Sequence, residues 1–129
     1  STDCPHCQST VRFLESLVKR LGPRGYQPLA AAYNQNANVL VPSFIEKTQA
    51  TFPVGYADRA AVLAFLDRSP KVMTYVPVAV FIDRKGMIRG QYTGDDPFMS
   101  PDDDIARNQN IFLLIEKLLK EDPRGSASK

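Results

Sequence analysis

The chain has 129 residues, 43% of them hydrophobic, enough for one sizeable core and too few for two ordinary domains. Its 16 basic and 14 acidic residues leave a formal net charge of +2 with no long basic block, which argues against nucleic acid or a membrane surface as a partner. No apolar stretch reaches transmembrane length, and the N-terminus lacks the basic-then-apolar layout of a secretory signal, so any targeting segment is expected outside this chain.

The first chemistry along the chain is Cys4-Pro5-His6-Cys7, two thiols spaced to close a reversible disulfide just ahead of an amphipathic run. Val11, Leu14, Leu17, Val18 and Leu21 recur at helical spacing and Gly22-Pro23 stops the pattern, which predicts a helix of about three to four turns with Cys4 at its start. A helix N-terminus offers partial positive charge and unpaired N–H groups to a thiolate, the species that attacks disulfides. Cys4 is accordingly read as the nucleophile and Cys7, one turn on, as the resolving thiol, while Pro5 suits the first helical position. His6 brings positive charge near both sulfurs, which favours the reduced thiolate form and makes the pair more oxidising. These are the only cysteines and His6 is the only histidine, so zinc would have to recruit carboxylates. A static crosslink is also disfavoured, because the small CxxC ring removes little chain entropy. Redox chemistry is preferred, with no cofactor beyond the Cys4–Cys7 disulfide and no metal.

Tyr26 to Tyr33 reads as a buried strand broken by Asn34-Gln35-Asn36. A helix is predicted over Val39 to Phe52, regular from Pro42 in its first turn and ended by Pro53. Val54 to Tyr56 follows as a short strand. Asp58 then caps a helix with Ala61, Val62, Phe65 and Leu66 on one face, closed by Ser69-Pro70. Val78 to Ile82 and Met87 to Tyr92 form an antiparallel hairpin through Asp83-Arg84-Lys85-Gly86, bordering the core sheet. Ser100-Pro101-Asp102-Asp103 starts the last helix, whose buried stripe is Ile105, Ile111, Phe112, Ile115, Leu118 and Leu119 and whose end lies near Asp122-Pro123. Asp102, Asp103 and Asp104 are read as first-turn residues that meet the helix dipole rather than as a metal cluster. The domain is placed at 1–122, and 123–129, without apolar anchors, is expected to be a flexible tail.

A CxxC opening a helix, then strand, helix, strand, helix and a Val76-Pro77 entry into a hairpin, resembles the thioredoxin-like superfamily over roughly Ser1 to Leu119, in particular its TlpA/ResA-like, AhpC/TSA-related branch. The resemblance implies an α/β fold with a central mixed β-sheet flanked by helices. It also implies a cis Pro77 packed against the Cys4–Cys7 pair, with the Val76 backbone binding substrate peptide; the residues alone leave open a plain strand-entry proline. The family carries a strand, often with an aromatic residue, ahead of its CxxC. Here only Ser1-Thr2-Asp3 precede Cys4 and the chain has no tryptophan, so the usual N-terminal strand is expected in a segment outside this chain. The buried acid that assists proton transfer in many thioredoxins lies on that strand, and no general base is assigned.

Pro5-His6 resembles the dipeptide of the disulfide oxidase DsbA, whereas the body resembles TlpA/ResA-like proteins, many of them reductases, so the direction of exchange stays open. The resemblance implies protein thiols or disulfides as substrates, a redox partner protein and an extracytoplasmic location. Two other functions stay open. One is a peroxiredoxin-like peroxidase, because Ser1 stands three before Cys4 as a Ser or Thr does in that family's signature, although its upstream proline is missing. The other is a non-catalytic thioredoxin-fold scaffold with a static disulfide.

Overall fold

The computed structural model of the protein describes residues 1–121, so the expected tail at 123–129 lies outside the described residues. The helix after the thiol pair is α1, Pro5–Ser16, and it does not continue unbroken to Gly22 as the periodicity predicts. The Ser16 hydroxyl donates to the Phe13 carbonyl at 2.6 Å and the Leu17 N–H takes the Leu14 carbonyl, which tightens the last turn. The apolar stripe then resumes in α2, Val18–Leu21, and a 3-10 turn over Gly22–Arg24.

Strand β1 is Ala30–Ala32, much shorter than the predicted Tyr26 to Tyr33. Pro28 has no N–H for a ladder, and β1 finds a partner only over the three residues that face β2, Val54–Tyr56, in parallel register Ala30 with Val54 to Ala32 with Tyr56. Between them runs α3, Ala37–Thr48, completing a βαβ unit. It starts five residues before Pro42 and stops four short of Phe52. Asn36 enters it in the left-handed conformation, Gln49 leaves it the same way, and Pro42 sits in its interior. The carbonyl that Pro42 leaves without an intrahelical donor belongs to Asn38, an exposed residue of the first turn, which makes the proline tolerable there.

Asp58 occupies the N-cap position of α4, Arg59–Phe65, but its side chain makes no capping hydrogen bond. Leu63 and Leu66 are the residues it buries, and Phe65 of the predicted face is exposed. The hairpin pairs β3, Ala79–Ile82, with β4, Ile88–Tyr92, with a bulge between Phe81 and Ile82. Its turn is fixed by Asp83, whose Oδ1 accepts from the N–H groups of Lys85 and Met87, and by Gly86 at φ +83. Phe81, Tyr92 and Phe98 stack this hairpin onto the segment that follows it. The last helix is α5, Asp104–Lys120, capped by Asp103 and ending before the predicted Asp122-Pro123. Ile105 is 81% exposed, contrary to the predicted stripe, because the position one turn ahead of Ile111 is Arg107.

The principal core cluster is Leu17, Leu21, Ile111 and Ile115, which joins the end of α1 and α2 to α5. Val11, Phe44 and Phe52 join α1 to α3. The sheet is split among the described residues: β1–β2 and β3–β4 are separate pairs. An open apolar slot of about 920 Å³ lies between them, lined by the free edges of β1 and β3 and by Val11, Val62, Phe65 and Ile111 among others. The predicted Ala61, Val62, Phe65 and Leu66 face of α4 looks into this slot. No described helix is long and apolar enough to cross a membrane.

Candidate functional site

Cys4 is the N-cap of α1, with extended backbone at φ −92 and ψ 117, and Pro5 is the first helical residue. Its sulfur does what a capping oxygen does elsewhere: Sγ accepts the Cys7 N–H at 3.1 Å. A thiolate at this atom therefore meets a backbone donor and the positive end of the helix together. The approach to Cys4 is tied down by Asn34, just after β1. Its Oδ1 accepts from the Thr2 N–H at 3.0 Å and its Nδ2 donates to the Thr2 hydroxyl at 2.8 Å, while Gln8 reaches back to the Thr2 carbonyl.

Cys7 is only 5% exposed, one turn further in. Burial pushes its thiol from the ordinary 9.0 up to about 12, and the neighbouring Cys4 sulfur adds to the effect. The two thiols of one motif are thus unequal: Cys4 is partly accessible, and Cys7 is buried and protonated. Burial also holds the Tyr26 and Tyr33 phenols above their ordinary values. In all three the folded state grips the proton more tightly than the unfolded state. The stability Cys7 contributes is complete below about pH 9 and is lost as pH rises toward 12. Denaturant midpoints measured across this range are expected to fall, by roughly 2–3 kcal/mol of stability at about pH 11 from Cys7 alone. Cys7→Ala should remove the Cys7 share of that dependence and leave the part that Tyr26 and Tyr33 contribute.

The Val76–Pro77 peptide is cis and stands beside the motif, with the Val76 carbonyl oxygen 4.0 Å from Cys4 Sγ. Gly94 holds this loop from behind. Its N–H donates to the Tyr75 carbonyl at 2.8 Å, and a Cβ at position 94 would lie 2.5 Å from the Val76 oxygen. Backbone cannot yield as a side-chain tip does, so Gly94→Ala is expected to displace the Val76 carbonyl and cost about 1–3 kcal/mol. Measuring the denaturant midpoint and the thiol exchange rate on the same sample checks this; an unchanged pair of values would refute it.

His6 is exposed, makes no hydrogen bond to either sulfur, and presents Nδ1 to Asp104 Oδ1 at 3.9 Å. Behind that carboxylate lies Arg107, 2% exposed, which donates to Asp104 and to Ser9 of α1 at 3.0 Å each. The fold therefore brings together all six residues singled out in the sequence, Cys4, Pro5, His6, Cys7, Val76 and Pro77. Asn34, Gly94, Asp104 and Arg107 were missed as site residues. Gly94, two residues past the end of β4, is of the residue type that marks close backbone approach; nothing local marks Asn34 as more than a strand breaker. Ser1 Oγ accepts from the Asp3 N–H at 3.4 Å and makes no bond to Cys4.

A CxxC at the head of a helix, a βαβ unit, an antiparallel hairpin and a covering C-terminal helix define a thioredoxin-like α/β fold. A solved structure from Chlorobium tepidum, ascribed to a thiol:disulfide interchange protein DsbE, superposes with a TM-score of 0.64 at 19% identity, covering 87% of this chain and 72% of that one. No protein-family model and no curated protein matches the sequence.

Proposed function

We propose that this protein is a thiol-disulfide oxidoreductase that exchanges its Cys4–Cys7 dithiol with protein disulfides. The observation that carries this reading is the asymmetry of the pair: a helix-capping, partly accessible Cys4 sulfur beside the Val76 carbonyl, with Cys7 buried one turn behind it. In the reducing direction the Cys4 thiolate attacks one sulfur of a substrate disulfide and expels the other as a thiolate, which takes up a proton. Cys7 then loses its proton and attacks Cys4 in the mixed disulfide, releasing the second substrate thiol. The substrate gains two electrons and the protein is left as the Cys4–Cys7 disulfide. Read backwards, the same steps oxidise a dithiol substrate. Val76 and Pro77 form the lip against which substrate backbone lies, and His6 supplies charge at the head of the helix. The TlpA/ResA-like resemblance supports an extracytoplasmic setting with a separate redox partner protein.

The test is the Cys4–Cys7 equilibrium in graded glutathione buffers, read by thiol alkylation and mass. Fast equilibration supports the reading. A potential near the DsbA value of about −120 mV assigns an oxidase, and one near the thioredoxin value of about −270 mV a reductase. A pair that fails to equilibrate refutes the reading.

A further inference from the structure

The three aspartates at the head of α5 do different work. Asp103 alone caps the helix, its Oδ1 accepting from the N–H groups of Ile105 and Ala106 at 3.0 and 3.1 Å. Asp104 is left free to face α1. Its Oδ2 accepts from the Ser9 hydroxyl at 3.1 Å, and its Oδ1 accepts from Arg107 at 3.0 Å while standing 3.9 Å from His6 Nδ1. Arg107 is itself fixed, buried and bonded to Ser9 and to Asn108.

We propose that Asp104 is a positioning residue for thiol exchange, acting on the Cys4–Cys7 equilibrium through His6; this rests on the oxidoreductase reading above. Exposed ion pairs contribute little in part because two mobile side chains must be frozen together. Here one partner is already held on two sides before His6 meets it, so the pair forms at lower entropic cost. The charged side chains that face His6 from across the fold are Asp104 at the head of α5 and Arg107 behind it. The small cleft beside His6 is otherwise lined by Val76, Pro77, Gly94, Met99 and Pro101, none of them charged. Asp104 turns the ring's Nδ1 toward α5 and so holds the imidazole at the head of the helix that carries Cys4, where its charged form stands beside the thiolate. That charge favours the thiolate, and with it the reduced form.

The experiment is a double-mutant cycle read in glutathione buffers near neutral pH. Asp104→Asn keeps the acceptor for Arg107 and deletes the charge. It is expected to move the equilibrium about threefold toward the protein disulfide in the wild-type background, and not at all in a His6→Ala background. An equal shift in both backgrounds, or none in either, overturns the proposal, since a merely structural role does not depend on the imidazole. Should Asp104→Asn fail to fold, Asp104→Ser, which keeps an oxygen and removes the charge, is read the same way. A wild-type chain that never equilibrates refutes the oxidoreductase reading and this inference together; a cycling wild type with an inert Asp104→Asn refutes the inference alone.

Discussion

Serine at position 4 is expected to bring disulfide exchange down to the uncatalysed background, a loss of roughly three orders of magnitude or more. A hydroxyl caps α1 as well as a sulfur does, so Cys4→Ser should keep its fold and its melting temperature while losing its chemistry. Cys7 cannot take over. It is almost wholly buried, and with its thiol pushed to about 12, only about one molecule in 10⁵ carries a thiolate there at neutral pH. The complementary substitution separates the roles. Cys7→Ser should still be attacked at Cys4 by a disulfide reagent but should stall there, leaving a mixed disulfide that mass spectrometry reads as a single adduct on position 4. Full turnover by Cys4→Ser, or an adduct that forms on Cys7 with Cys4 replaced, would sink the assignment.

Leu21→Ala is expected to lower stability by about 2–5 kcal/mol. Leu21 is 1% exposed at the end of α2 and belongs to the cluster with Leu17, Ile111 and Ile115, so truncating it opens a void between α2 and α5. For a chain of this size that corresponds to a fall in melting temperature of roughly 10 °C or more. The same cluster ties together the two helices that carry Cys4 and Asp104. A thermal scan that moves by less than about 3 °C would mean that the site closes around the smaller side chain.

How much of this was readable from residues alone depended on how local the cause was. The turn at Asp83 to Gly86, the strand at Val54–Tyr56 and the thiol pair at a helix entrance are set by neighbours in sequence, and each was placed. The short β1 was not, because strand length depends on which partner edge is present, and β1 meets β2 over three residues only. Pro42 inside α3 was misplaced for a related reason: whether a proline is tolerated depends on where the orphaned carbonyl points. Arg107 escaped notice because a charged residue in an apolar stripe looks like an interruption of it. Only the cross-helix geometry shows Ser9, Asp104 and Asn108 satisfying its guanidinium. The six residues that the fold brings together are all legible in the motifs of the sequence, whereas the groups that hold them come from distant parts of the chain.

If Cys4 and Cys7 exchange disulfides as proposed, the depth at which Cys7 sits acts as a timer. On the oxidoreductase reading, once a partner is joined covalently to Cys4, its release would wait on deprotonation of a buried thiol, so burial at Cys7 would set the lifetime of the joined pair. A partner with a second thiol of its own would then be able to free itself within that interval with a rearranged bond, while one without would wait for Cys7. Raising the pH by one unit would then shorten the interval about tenfold, as long as the Cys7 thiol stays mostly protonated.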